Sequence, residues 1–308
     1  MKRLLLFTVV FWGVFRGLVL AQTRHEFQHG QMGTLFKLVV YAPGSVEATK
    51  AAMAAFARLD TLNQILSDYR DDSELSQLSR TAGTGRWVGV SPDLWAVIGA
   101  SQKASRLTHG AFDLTIGPLV QLWRRAARQK ELPSSRRIRQ AKRLVGYRQL
   151  QLDETNRRVR LSKPGMRLDA GGIGKGYAVA ELAKILQAAQ LPAFLIEGGG
   201  DLLLGEAPPG LAGWRVAVGD SLLVLANTAV ATSGDRFRYA EIDGQRFSHV
   251  VDPRTGLGLT HRWQATVIYP DAVQADALAS GLGVLGKQKG EKIGQKIKGL
   301  RCFFRLGE

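Results

Sequence analysis

Met166-Arg-Leu-Asp-Ala-Gly-Gly-Ile-Gly-Lys-Gly-Tyr177 is the stretch around which the rest of this 308-residue chain is read. Arg167 to Ala170 has the pattern of a strand. Gly171, Gly172, Gly174 and Gly176 crowd the next turn, and Val179, Leu182, Ala183 and Leu186 recur at helical spacing between Tyr177 and Gln190. Strand, glycine turn and helix together aim backbone N–H groups and the positive end of a helix dipole at one point, a geometry suited to phosphate. Lys175 adds a point charge on the same turn. The stretch is therefore a candidate pyrophosphate anchor, although a tight turn with no ligand fits the same residues. It is neither of two familiar phosphate motifs. Asp169 and Gly176 stand where a P-loop requires Gly and Ser/Thr. The spacing Gly172-x-Gly174-x-Gly176, followed by Leu191-Pro-Ala193 where an acid is needed, departs from the dinucleotide fingerprint.

Outward from this turn, hydrophobic content of 45% and charged content of 22% are those of a globular protein with ample material for a core. Residues 1–21 stand apart. Lys2-Arg3 precede a largely apolar run from Leu4 to Leu20, and Val19-Leu20-Ala21 suits cleavage after Ala21, as in a signal peptide. Arg16 interrupts the run, so a retained signal anchor is the rival reading. No Cys follows the cleavage site to carry a lipid, and the expectation is a soluble exported, periplasmic protein. Cys302 is the only cysteine, which excludes an internal disulfide. The net charge of +16 calls for acidic partners such as phosphate ligands or anionic headgroups, and export argues against nucleic acid.

Residues 24–308 show no long linker, repeat or low-complexity run, and one continuous α+β domain is the economical reading. Gly33–Tyr41 reads as a strand, and Ser45 as the cap of a helix to Leu66 with Met53, Phe56, Leu59 and Leu62 on one face. Ser73 suits the cap of a short helix, with Tyr69 in the polar loop before it. Ser91-Pro92-Asp93 starts another helix ending near Leu107. Gly110–Leu119 reads as an irregular segment broken at Gly117-Pro118, with Asp113 its one acid, before Val120–Arg128. Residues 124–143 hold nine Lys/Arg against one Glu, a pattern usual for a solvated face but open to a lipid or an acidic partner. Tyr147–Leu152 pairs with Arg157–Leu161. Phe194–Asp201 is a strand entering a second glycine cluster, and Trp214–Val218 and Leu222–Ala226 are strands. Ala231–Gly234 is a turn of small residues. Tyr239–Ile242 pairs with Phe247–Val251 around Asp243-Gly244, which puts His249 in a strand. After the strand Gln264–Tyr269, the helix Ala272–Gly286 carries Asp276 and Ser280 one turn apart on one face. A helix over Lys287–Lys298 and a strand over Leu300–Arg305 close the chain.

Eight motifs agree in order and spacing with one family. They are Met32-Gly-Thr, Leu66-Ser-x-Tyr69 with Ser73-Glu-Leu, Gly110-Ala-Phe-Asp-x-Thr115, Leu168-Asp-x-Gly-Gly-Ile-x-Lys175-Gly-Tyr, Gly198-Gly-Gly-Asp201, Thr232-Ser-Gly-Asp235, Ser248-His-Val-Val-Asp-Pro-Arg-Thr-Gly256 and Ala275-Asp-Ala-Leu-Ala-Ser280. The chain resembles the ApbE family, the FAD:protein FMN transferases. The resemblance implies a T-fold-like α+β domain of mixed or antiparallel sheet with packed helices. It also implies a Mg²⁺-dependent transfer of FMN from FAD to a Ser or Thr of an acceptor flavoprotein, releasing AMP. The acceptor expected is an exported or membrane redox protein.

Carried over residue by residue, the resemblance puts the metal on Asp276, Ser280 and the Gly172 carbonyl. Oxygen donors of this kind suit Mg²⁺, which keeps waters and substrate phosphates as its other ligands. Met32 and Tyr69 should border the flavin nucleotide, and Ala111, Phe112 and Asp113 its nucleotide side. Asp169 and Lys175 should hold polar groups of FAD, with a backbone contact from Val250. His249 would move the proton of the attacking hydroxyl. Ser280 where the family often has Thr, Ser79 for Asn, Gly174 for Ala and Ala180 near a common Asp are the departures, and none removes a ligand. A Mg²⁺-dependent FAD pyrophosphatase, a non-catalytic FAD-binding carrier and a basic surface module are the competing readings. The last two would not require Asp276, Ser280 and His249 together.

Overall fold

A seven-stranded, wholly antiparallel sheet carries the computed structural model, which describes residues 22–234 and 239–306. In chain order the elements are β1 (Thr23–Gln31), β2 (Thr34–Ala42), α1 (Ser45–Leu66), α2 (Glu74–Arg80), β3 (Val88–Gly89), α3 (Pro92–Leu107), α4 (Gly117–Gln129) and α5 (Ser135–Lys142). A 3-10 turn at Tyr147–Gln149 leads into β4 (Leu150–Asp153), β5 (Arg158–Leu161), α6 (Gly174–Ala188), β6 (Phe194–Gly198) and β7 (Asp201–Leu204). Then follow β8 (Trp214–Val218), β9 (Ser221–Leu225), β10 (Thr228–Ser233), β11 (Tyr239–Ile242), β12 (Gln245–Ser248), β13 (Trp263–Tyr269), α7 (Ala272–Gly294) and β14 (Arg301–Leu306). The main sheet runs β1-β2-β6-β7-β10-β13-β14, and β3-β5-β4, β8-β9 and β11-β12 form small separate sheets. The expected α+β architecture is present, with the main sheet antiparallel throughout.

Alternation along the strands builds two layers. Leu38 and Val40 of β2, Ile196 of β6 and Ala229 and Ala231 of β10 face a large core shared with α1, α6 and α7. Val39, Leu204, Val230 and Ile268 face the other way, where Trp214, Val216 and Val218 of the β8–β9 hairpin cover them. Among the described residues no helix is long and apolar enough to cross a membrane. The apolar segment read as a signal peptide, residues 1–21, lies outside the described residues, as does Asp235.

Several local expectations are met by identifiable chemistry. The Ser73 and Ser91 hydroxyls accept from Ser76 N and Leu94 N and so cap α2 and α3. Asp243 and Gly244 both take positive φ (51° and 72°), as the Asp-Gly hairpin requires. Gly286 breaks α7 at φ 72°, which separates the two helices read for 272–286 and 287–298.

Other expectations are corrected. Arg167–Ala170 is not a strand: it makes one parallel bridge to Ile116, and Asp169 N donates to Leu114 O at 2.9 Å. The segment runs beside 114–117 for too few residues to form a ladder. The helix starts inside the glycine run, at Gly174 rather than Tyr177. Pro118 sits in the first turn of α4, so Gly117-Pro118 opens a helix instead of interrupting one. Ala231–Ser233 belongs to β10, and His249 lies just beyond β12 in a bend. The cap of α1 is Gly44, without a side-chain bond from Ser45. Met53 is 68% exposed; the face that α1 buries is Ala48, Ala51, Ala52, Ala55, Leu59, Leu62 and Leu66. A mostly alanine face lets α1 approach closely, and alanines are easily overlooked beside a Met.

Candidate active site

Two helix contacts fix the site. Gly176 in the first turn of α6 lies against the start of α7. A Cβ at Gly176 would fall 2.4 Å from Ala272 O and 2.7 Å from Asp276 Cβ. That approach lets Gly176 N donate to Asp276 Oδ2 at 2.9 Å. The second contact is Gly172, where a Cβ would fall 2.9 Å from Ser280 Oγ and 3.3 Å from Phe112 Cε2. Gly172, Ser280 and Phe112 therefore meet at one place, with Asp276 one turn before Ser280 on α7. The start of α6 is braced from behind. Tyr177 OH donates to Asp93 Oδ1 at 2.7 Å, and Arg58 of α1 pairs with both Asp93 and Glu181.

Lys175 joins the same cluster. Its ammonium lies 2.8 Å from Asp201 Oδ2 and 3.7 Å from Asp276 Oδ2. Asp201 begins β7, after the Gly199-Gly200 turn, and Asp201 and Asp276 are both buried. Burial, reinforced by the charge of Asp276 and opposed by Lys175, pushes the Asp201 carboxyl up to about 7. Among the described residues, two buried carboxylates share one ammonium, so positive charge is short there. Asp201 is the residue that sequence reasoning left out. Its signal was an acid closing the second glycine cluster, which marked a motif without a role. Met32, at φ 52°, is in the β1–β2 turn. That turn reaches the cluster through Thr34, since a Cβ at Gly199 would lie 3.0 Å from Thr34 Oγ1 and 3.2 Å from Lys175 Cδ.

A second group forms around Arg124 of α4. Its guanidinium pairs with Asp68, reaches Asp169 Oδ2 at 3.3 Å and lies 4.1 Å above the Tyr69 ring. Tyr69 is 74% exposed, leaving the other face of its ring open to a flat ligand. Asp169 also accepts from Gly171 N at 2.8 Å. Burial and the neighbouring Asp68 carboxylate push Asp169 up to about 7 against the pull of Arg124. Asp169 thus ties the glycine turn to the Tyr69 loop.

Asp113 is engaged within its own loop. It accepts from Thr115 N and Oγ1 and from Tyr147 N at 2.7–2.8 Å, and burial raises its carboxyl above the usual range. Ala111 and Phe112, both buried, are held by Thr108, with Ala111 N donating to Thr108 O at 3.1 Å and Phe112 N to Thr108 Oγ1 at 3.0 Å. His249 is exposed and Val250 half-buried. Ser248 and Val250 line a small crevice with Ser233, Gly234 and Gly283, the last less than one turn beyond Ser280 on α7. Trp123 of α4 ties this segment down by donating to Gly256 O at 2.9 Å and packing on Phe247.

No group of three His, Cys, Asp or Glu able to hold a metal exists among the described residues. A hard cation would have to use one carboxylate, a hydroxyl and a carbonyl, which suits Mg²⁺ and phosphate oxygens better than zinc. The excess of buried carboxylate around Lys175 fits a cation at this point.

The ApbE family model matches residues 32–304. An FAD:protein FMN transferase of Klebsiella pneumoniae (strain 342) is 32% identical over 295 residues, covering 90% of this chain and 83% of the relative. That of Escherichia coli (strain K12) is 30% identical over 280 residues, covering 85% and 78%. Among solved structures, the flavinyl transferase ApbE of Pseudomonas stutzeri in its apo form superposes with a TM-score of 0.82 at 29% identity, over 94% of this chain and 93% of that one. The ApbE protein of Thermotoga maritima gives 0.83 at 28% identity, over 93% and 97%.

Proposed function

This chain belongs to the ApbE family and is an FAD:protein FMN transferase, and we propose that its chemistry runs on Mg²⁺ held by Asp276, Ser280 and the Gly172 carbonyl. The observation that carries this reading is the meeting of Gly172, Asp276, Ser280 and Lys175 from two distant parts of the chain. Bound there, Mg²⁺ would neutralise pyrophosphate charge and polarise the phosphoryl oxygens.

The chain's own residues supply the rest. Lys175, held between Asp201 and Asp276, presents its ammonium to the pyrophosphate and opposes the charge that grows on it. Tyr69 offers a ring face, and Met32, Ala111, Phe112, Asp169 and Val250 line the remainder of the FAD pocket. A Ser or Thr hydroxyl of the acceptor attacks the FMN-side phosphorus of FAD. The new phosphoester bond forms as the pyrophosphate bond breaks, and AMP leaves with the bonding electron pair. The hydroxyl proton passes to His249, whose exposed position is open to an incoming protein. The sequence of residues 1–21, read as a signal peptide, supports a site of action outside the cytoplasm, where the acceptor would be an exported or membrane redox protein.

The test is incubation with FAD, Mg²⁺ and a candidate acceptor domain, read by mass spectrometry. An FMN-sized increment on a Ser or Thr, dependent on Mg²⁺ and lost in His249→Ala, is the expected result. Equal increments with and without chelator would remove the metal from the reading, and free FMN beside unmodified acceptor would identify hydrolysis.

A further inference from the structure

A groove of about 540 Å³ lies between α4, α5 and the end of α2. Arg80, Arg125, Arg137 and Arg167 line it, with Leu122 and Leu144 among its apolar residues, and no acidic side chain does. None of the four arginines forms an ion pair among the described residues. Arg80 donates to Asp71 O, Arg167 to Asp68 O, and Arg125 to Gln129. The groove therefore gathers uncompensated guanidinium charge over an apolar floor.

We propose that this groove docks an acidic, partly apolar segment of the acceptor protein. The proposal rests on the transfer reaction above, which obliges a second protein to sit against this enzyme. Three observations favour a polypeptide. The arginines surround a concavity rather than a flat face, and guanidinium groups take carboxylates in bidentate pairs. The apolar floor suits side chains set between the acids. The groove is also linked to the proposed flavin contacts: Arg167 donates to Asp68 O at 3.1 Å, Asp68 pairs with Arg124, and Arg124 reaches Asp169 and Tyr69. A segment seated there would be one layer of side chains from the FAD site. The basic run 124–143, which resembles a solvated face in sequence, would thereby acquire a role in choosing the acceptor.

The experiment compares wild type with Arg125→Glu/Arg137→Glu, both exposed positions outside the catalytic cluster. The probe is a fluorescein-labelled twelve-residue peptide alternating Asp with Leu, followed by anisotropy. Its partner probe carries Asn at every Asp. The expected result is an affinity for the Asp peptide on the order of tenfold weaker in the variant, and weak binding of the Asn peptide to both proteins. Raising salt should weaken the binding of the Asp peptide more in wild type than in the variant. FAD affinity and melting temperature should agree between the two proteins, which separates a docking defect from a damaged fold. Equal affinity of the two proteins for the Asp peptide overturns the proposal. So does a variant that loses only its binding to phosphatidylglycerol vesicles, which would make the groove a lipid contact. Peptide binding is read without FAD, so a failure of flavin transfer leaves this outcome legible and counts against the reaction alone.

Discussion

At the scale of single residues, Asp276 has two duties that a conservative change can separate. Its Oδ2 accepts from Gly176 N, which holds α6 on α7, while its charge serves the proposed cation. Asp276→Asn keeps an acceptor for Gly176 N and removes the charge. FMN transfer should fall by roughly 100-fold or more with little change in melting temperature, and chelation should produce the same loss in wild type. A melting temperature that collapses along with activity would show that the carboxylate is chiefly a helix clamp. Asp169 makes a different prediction. Its folded carboxyl is pushed up to about 7 from 3.8. The folded state therefore binds the extra proton between those values, and stability declines as pH rises through that window. Asp169→Asn should flatten the fall in melting temperature between pH 5 and pH 8. Part of the slope remains, because Asp201 is raised in the same sense. An unchanged slope would mean that Arg124 keeps Asp169 ionised throughout.

At the scale of elements, the junction of α6 and α7 depends on Gly176. A methyl group there meets the Ala272 carbonyl, a backbone atom that moves only if α7 moves. Gly176→Ala should cost about 1–3 kcal/mol and lose more activity than stability, since Asp276 shifts with α7. Gly99→Ala on α3, where a Cβ meets nothing within 4 Å, is the control and should be neutral or stabilising in a denaturant melt. This junction also shows what the sequence could and could not tell. Local chemistry was readable: Ser73 and Ser91 announce their helices, Asp243-Gly244 its hairpin, and Gly286 the end of a helix. The i, i+4 spacing of Asp276 and Ser280 puts both on one face of α7. What stayed hidden depended on contacts between distant segments. Arg167–Ala170 has strand composition but only 114–117 beside it. Asp201 becomes part of the site only when the β6–β7 turn brings it to Lys175, about 25 residues away in sequence, and no local pattern encodes that distance.

At the scale of the whole molecule, the site draws on nearly every layer: the β1–β2 turn through Thr34, the α4 brace through Arg124, the glycine turn before α6, the β6–β7 turn and the first turns of α7. The helices rest on one face of the sheet and the β8–β9 hairpin on the other, with no boundary at which the site could detach. A ligand that binds only the folded chain should therefore stabilise all of it at once. At 100 times its dissociation constant, FAD would add about 2.7 kcal/mol, or roughly 5–10 °C in melting temperature for a domain of this size. Calorimetry should show a single transition moving upward intact. Mg²⁺ should enlarge the shift in wild type and leave it unchanged in Asp276→Asn, because the cation would then lack its carboxylate. A transition that splits when FAD is added, with only one part displaced, would mean that the pocket belongs to a subdomain. The convergence of Lys175, Asp201 and Asp276 would then be a local packing arrangement rather than the centre of an enzyme.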